Sequence, residues 1–412
     1  MLTVEEAQQR LLAEVPLIES EEVALGETHG RVLREDVAAA ADVPLADNSA
    51  MDGYAIRAGD SGPRRVIGEV RAGSVATACV EAGTAMRIMT GAPIPEGADA
   101  VAQIEITDQG LDVVNINEPV KRGANIRRRG EDMHAGDIVL TRGTLVGAGE
   151  IGVLATARRA RALVARRPVV AVLSTGDELV DVGENAGAGR VVNSNVHTLS
   201  ALVRECGAIA RPQSIVRDSR EATIAAIDRA LECDYVISSG GVSVGAYDFV
   251  KDALEALGGE TKFWRVAMKP GKPVFLSRVR ERLFFGLPGN PVSCMVTFTL
   301  FVAPALRRAM GMSGVLPPVV NLKTTAPLRG SERRTYVRVA VYPRDGDLVA
   351  EPMLVQGSGA TTSMRGANGL AVVQEGVREI EAGASVPVVL MGLMGPMGPM
   401  GPMGGTAAPY RS

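Results

Sequence analysis

Histidine and cysteine are scarce. His29, His134 and His197 are the only histidines in 412 residues, and Cys79, Cys206, Cys233 and Cys294 stand far apart with no C-x-x-C pair. That argues against a zinc site of the usual Cys/His kind and against a disulfide framework. The thiols read as buried apolar groups of a reducing compartment. A basic surplus is missing too: 44 Lys+Arg stand against 47 Asp+Glu, for a net charge of −3. General nucleic-acid binding would call for the opposite balance, although a local basic pocket for an anion stays open. Neither a G-x-x-x-x-G-K-[ST] loop nor a G-x-G-x-x-G fingerprint occurs, so ATPase and dehydrogenase readings lose their main support. The start, "MLTVEEAQQRLLAEV", has no basic region or long apolar run and does not read as a signal peptide. The most apolar later segment, "PVSCMVTFTLFVAPAL", reads as broken by Pro304 and too short to cross a bilayer. A cytoplasmic protein is expected, with no membrane or nucleic-acid partner.

What is present divides by pattern. Ala7, Leu11, Leu12 and Val15 recur at helical spacing, and Thr3 with Glu6 make a capping box. Residues 43–133 are rich in Gly, Pro, Val and Ile, with "RRVIGEVRAG", "TAMRIMTGAPIPEGADAVAQIE" and "LDVVNI" as strands of a β-rich domain. A helix then leads to the basic stretch "RRARALVARRP", read as a linker near residues 158–167. From Pro168 to Met312 strands alternate with helices, which implies right-handed crossovers and a mainly parallel, doubly wound sheet. Beyond Met312 a β-rich, Gly-punctuated pattern returns as a C-terminal β domain. The tail carries Gly at every third position from Gly392 to Gly404, about four collagen-like triplets, and reads as a disordered extension.

The chemistry concentrates on loops that follow strands. "STGDEL" (174–179), "VRDSRE" (216–221) and "SSGGVSVGAYD" (238–248) should open on one edge of the sheet, where such sheets bind ligands. Gly240 and Gly241 leave backbone N–H groups free to approach a ligand, and Ser238, Ser239 and Ser243 add small hydroxyls: a phosphate cradle. Asp177, Glu178, Asp218 and Asp248 recur on the same loops. Each has a plainer account. Asp218 with Glu221 fits a helix N-cap and its partner, Asp248 could cap the next helix, and the other two could be solvated. Carboxylates on three successive loops beside a phosphate cradle also suit Mg²⁺, which takes hard oxygen ligands. In "VAMKPGKPVF", Lys269 and Lys272 flank a Pro-Gly turn and either hold a dianion or sit on a surface hairpin. In "GLPGNPVS", Asn290 suits a helix N-cap and Pro291 the first helical position. On spacing alone, the acids of "NSAMDGYA" and "RRGEDMHAGD" serve turns.

In their order, "NSAMDGYA", "TGAPIPEGADAV", "RGEDM", "STGDEL", "NSN", "SGGVSVGAYD", "MKPGKP" and "GLPGNPVS" resemble the molybdopterin molybdenumtransferases, the family that includes the gephyrin E-domain. The resemblance covers about residues 1–390. It implies a discontinuous N-terminal domain (1–42 and 134–167), a β-rich insert (43–133), a molybdopterin-binding α/β domain (168–312), a C-terminal β-barrel-like domain (313–391) and a tail (392–412) outside the pattern. It implies a homodimer whose cleft joins the α/β domain of one copy to the second domain of the other. The implied reaction inserts molybdate into adenylylated molybdopterin and releases AMP. Asp52, Asp132, Glu178, Lys269 and Lys272 would be catalytic. Thr175, Gly176, Ser239, Gly240, Gly241, Ser243, Pro288, Asn290, Arg333 and Ser358 would bind the substrates, and Glu178, Asp218 and Asp248 would hold Mg²⁺. The molybdopterin adenylyltransferase is a further expected partner. The alternatives are that adenylyltransferase activity itself, or a non-enzymatic gephyrin-like scaffold.

Overall fold

Val170 and Val172 face one side of a strand, Ala171 and Leu173 face the other, and all four are buried. That is the mark of a sheet covered on both faces. The computed structural model describes residues 1–241 and 249–392. Its central sheet has six strands: β1 (Val169–Ser174), β2 (Ile209–Pro212), β3 (Tyr235–Ser239), β4 (Glu260–Trp264), β5 (Phe275–Val279) and β6 (Arg282–Leu287). The order is β2-β1-β3-β6-β5-β4. The β2, β1, β3 and β6 strands run parallel, and β5 and β4 are antiparallel additions at one edge.

Helices α1 (Val4–Glu14), α2 (Ser194–Glu205) and α5 (Pro291–Met310) cover one face. The other face is covered by α3 (Arg220–Ala230) and α4 (Phe249–Ala256). The doubly wound arrangement expected from the alternating pattern is therefore present. The Thr3–Glu6 capping box forms at α1, and Asn193 caps α2 by accepting from the Val196 N–H at 3.4 Å.

Pro304 does not break its helix. The chain is helical from Pro291 through Met310, with a π-type stretch at Phe298–Val302. Pro304 has no N–H for the carbonyl of Leu300, and the Gln8 amide donates to that carbonyl at 2.8 Å instead. By length and composition α5 could cross a membrane, but 78% of its apolar window is buried inside this protein.

The stretch expected as a linker is also ordered. Arg161–Ala165 is a strand paired antiparallel with Ser20–Ala24. The reason is alternation: Ala162 and Val164 point inward, while Arg161 points out to Glu22. Arg166, just beyond the strand, ion-pairs with Glu19 and Asp234. Ile138–Leu140 likewise pairs with Val37–Ala38, so the chain's first segment folds against residues 134–167. Between them a five-stranded sheet is built from Gly53–Ile56, Arg64–Val70, Thr84–Ile88, Ala100–Gln103 and Val113–Val114.

Near the C-terminus a second architecture appears. Strands β7 (Val319–Thr324), β8 (Arg334–Arg344), β9 (Asp347–Pro352), β10 (Gly369–Val373) and β11 (Ser385–Leu390) pair in the closed order β8-β9-β7-β11-β10-β8. Closure leaves this five-stranded barrel open beside the first residues of β8, which β9 does not reach. The short strand Met268–Lys269 adds in parallel to β8 and stitches the barrel to the α/β sheet.

Three cysteines are buried, but Cys79 is exposed, which corrects the expectation that all four serve as buried apolar groups. It lies in a turn-rich segment between the strands at 64–70 and 84–88, where no apolar periodicity draws it inward.

Candidate active site

Because β1, β2, β3 and β6 are parallel, their carboxyl ends lie on one edge. The loops after them line a cleft of about 940 Å³. Thr175, Gly176 and Glu178 follow β1, Asp218 follows β2, Ser239, Gly240 and Gly241 end β3, and Pro288 and Asn290 follow β6. All were singled out from the sequence. Ser243 and Asp248 lie outside the described residues.

The cradle at Gly240 and Gly241 is backbone-driven. Gly241 has φ +64°, and a Cβ there would sit 2.4 Å from Val250 Cγ2 and 2.9 Å from Thr175 Oγ1. Only glycine fits that position. Ser174 Oγ and Thr175 Oγ1 are buried and lack a hydrogen-bond partner among the described residues. A buried hydroxyl left so is costly unless a bound acceptor completes it. Asn195 was not recognised as a single residue, although its "NSN" segment was. Its Nδ2 donates to Ser239 Oγ at 2.6 Å and to the Gly289 carbonyl at 2.7 Å, tying the β3 loop to the β6 loop.

The acids behave differently from the simple capping account. Ser219, not Asp218, is the N-cap of α3: its extended backbone lets its hydroxyl accept from the Ala222 N–H at 3.2 Å. Asp218 instead faces the β1 loop, where its carboxylate accepts from the Asp177 N–H at 3.1 Å. The Asp177 carboxylate accepts from the Asp218 N–H at 3.3 Å in return. Glu178 and Asp218 thus line the same cleft. No group of three His, Cys, Asp or Glu poised for a metal occurs among the described residues. Asn290 stands at the N-cap of α5 without a side-chain cap bond.

Its amide is used elsewhere. Asn290 Nδ2 donates to Ser358 Oγ at 3.2 Å, and the Val292 N–H donates to the Ser358 carbonyl at 3.1 Å. Ser358 belongs to a second cleft of about 870 Å³, between the Lys269–Pro273 turn and the barrel. Lys269, Lys272 and Arg333 line it, and Pro273 lines both clefts. Gly271 makes the turn, with φ +110° and only 2.5 Å between its hypothetical Cβ and Thr297 Cγ2. Arg333 Nη1 donates to the Met268 carbonyl at 3.0 Å, which holds the guanidinium beside the lysine turn. Among the described residues none of Lys269, Lys272 and Arg333 forms an ion pair, so the cleft presents uncompensated positive charge.

Asp52 and Asp132 are not brought to either cleft; both are exposed on loops of the N-terminal half. The backbone N–H and hydroxyl of Thr90 both donate to Asp52, at 2.6 and 2.7 Å, and hold its pKa below the ordinary carboxylate value.

A doubly wound α/β sheet with a glycine-rich loop at its carboxyl edge lies against a closed β-barrel, and cationic side chains line the cleft between the two. Known proteins share the fold across nearly the whole chain. Residues 2–157 match the MoeA N-terminal region (domain I and II), 171–308 a probable molybdopterin binding domain, and 321–391 the MoeA C-terminal region (domain IV). A molybdopterin molybdenumtransferase from Bacillus subtilis is 36% identical over 406 residues, 95% of this chain and 94% of the relative. One from Staphylococcus epidermidis is 34% identical over 399 residues, 94% and 95% of the two chains. Two crystal structures of a molybdopterin biosynthesis MoeA protein from Pyrococcus horikoshii superpose with TM-scores of 0.81 and 0.77. Their identities are 28% and 32%, and each covers 95% of this chain, with 100% and 99% of the other chain matched. The chain belongs to the molybdopterin molybdenumtransferase family.

Proposed function

We propose that this protein inserts molybdate into adenylylated molybdopterin and releases AMP. The observation that carries the reading is the Asn290–Ser358 hydrogen bond, where a phosphate-cradling cleft meets a cationic one. In the first cleft, Gly240 and Gly241 would offer backbone N–H groups to the substrate's phosphates. Thr175, Gly176, Ser239, Pro288 and Asn290, with Ser243, would complete the grip. In the second, Lys269, Lys272, Arg333 and Ser358 would hold molybdate. Water adds to phosphorus at the pyrophosphate bond, AMP leaves with the bridging oxygen, and the pterin keeps its own phosphate. The lysines neutralise charge that grows on the separating oxygens.

Glu178 and Asp218 supply hard oxygen donors to the first cleft, and with Asp248 they would hold Mg²⁺. When bound, the ion supplies positive charge against the phosphates. Asp52 and Asp132 line neither cleft of their own chain, which supports a homodimer in which they complete the partner copy's site. We also propose the domain division at 1–42 with 134–167, 43–133, 168–312 and 313–391. The pairing of the first segment with 134–167 supports it. A cytoplasmic setting, with the adenylyltransferase as supplier of substrate, belongs to the same reading.

The test supplies purified protein with adenylylated molybdopterin, Mg²⁺ and molybdate. AMP release together with dithiolene-bound molybdenum is the expected result. Formation of an AMP adduct from ATP and free molybdopterin would instead mark an adenylyltransferase. A folded sample with neither activity would point to a scaffold.

A further inference from the structure

Arg338 is the largest fully buried side chain among the described residues, with 1% of its surface exposed. It stands in the middle of β8 and lines the cationic cleft. Its Nη2 donates to the carbonyls of Val355 at 3.1 Å and Gly357 at 3.4 Å. Its Nε is buried without an acceptor. Among the described residues no carboxylate pairs with it, and the other charged groups lining the cleft, Lys269, Lys272, Arg329 and Arg333, share its sign. Burying a guanidinium in such company opposes folding. A neutral donor could reach a carbonyl without that cost, so the charge itself needs a reason.

The segment it holds supplies one. Gln356 clamps the Arg338 backbone: its Oε1 accepts from the Arg338 N–H at 3.1 Å, and its Nε2 donates to the Arg338 carbonyl at 2.9 Å. The Met353 N–H donates to the same carbonyl at 2.9 Å. The loop 353–358 is therefore fastened to one residue at its start, middle and end. That loop delivers Ser358 to Asn290, where the two clefts meet.

We propose that Arg338 is a positioning residue of the cationic cleft, fastening the 353–358 loop beneath Ser358 with a buried charge that only an oxyanion bound in that cleft completes. The proposal rests on the reading of this cleft as the oxyanion site. It makes the free protein frustrated at Arg338 and the anion-bound protein satisfied.

Two variants of the full chain, R338M and R338Q, test it, with molybdate and sulfate as probes in titration calorimetry and thermal unfolding. Methionine keeps the packing, and glutamine keeps a donor for the Val355 carbonyl. Without anion, both variants should unfold at or above the wild-type temperature, because an unpaired buried charge has been removed. Molybdate affinity should fall on the order of tenfold or more in both, since a charge-assisted contribution is lost. A merely structural strut predicts the reverse: lower stability in both variants. That result overturns the assignment, as does unchanged molybdate affinity. A wild-type protein that binds neither molybdate nor sulfate overturns the reading of the cleft itself, and the role of Arg338 with it.

Discussion

The two clefts meet where Asn290 and Val292 donate hydrogen bonds to Ser358, yet they are built in opposite ways. The first is made of loops that each follow a parallel strand, so neighbours in space are short turns at one edge of one sheet. It collects acids and backbone N–H groups. The second is assembled from four remote pieces: the 269–273 turn, the 326–330 segment, the start of β8 and the 353–358 loop. It collects cations. A cradle of backbone N–H groups suits phosphates that must be held while a metal shares their oxygens. A cluster of side-chain cations suits a free dianion that must be drawn from solution. On the proposed reading, the difference teaches that one sheet edge serves two anions because a second domain is brought against it.

The comparison can be broken most sharply by asking which copy owns each acid. D52A and D218A should each lower AMP release on the order of 100-fold, the size of losing a positioned charge. If Asp52 serves the partner's cleft, mixing the two inactive variants after unfolding and refolding should restore roughly a quarter of the wild-type sites. No recovery in a dimeric mixture would assign both acids to one chain.

A smaller effect should separate the clefts by ligand. K269A and K272A should each raise the KM for molybdate about tenfold with little change in the Mg²⁺ requirement. D218N should do the opposite, raising the Mg²⁺ needed for half-maximal AMP release. Equal shifts in both constants for every variant would merge the two clefts into one functional site.

Smaller still is the difference between neighbours at the start of α3. S219A should cost about 1 kcal/mol of stability, because it removes the cap. D218A should cost less, because its carboxylate serves the loop rather than the helix. Denaturant melts of the two variants decide this, and the reverse ranking would return Asp218 to a capping role.

The smallest effect concerns pH. Burial pushes the Cys294 thiol up to about 12, against an ordinary value of 9.0. Above pH 9 the unfolded thiol ionises while the folded one does not, so this residue's contribution to stability declines as pH rises towards 12. Burial therefore keeps Cys294 in its unreactive thiol form at pH 9 in the folded protein. Iodoacetamide at that pH should label exposed Cys79 and spare Cys294, as read by peptide mass mapping. Equal labelling would mean that α5 opens readily.

Much of the first cleft was legible because its residues are local. Strand–loop–helix order alone places Thr175, Asp218, Ser239 and Gly240 on one edge. Two local expectations failed, one for a local reason and one for a distant one. The cap of α3 moved by one residue because Ser219 takes the extended backbone that a cap needs. The helix around Pro304 continued because Gln8, nearly three hundred residues away, donates to the freed carbonyl. The strand at 161–165 was hidden by its arginines, although Ala162 and Val164 alternate with them.

The sequence by itself determined the doubly wound sheet, the glycine cradle and the presence of two lysines on a Pro-Gly turn. Period-two burial, positive-φ turns and β–α alternation are all encoded over a few neighbouring residues. Only the tertiary structure decided that those lysines face Arg333 and Ser358, that Asn290 reaches across to the barrel, and that Arg338 is buried without a counter-charge among the described residues. Those facts depend on closing the barrel against the sheet. Contacts between segments dozens of residues apart are set by how whole domains pack, and no local pattern records them.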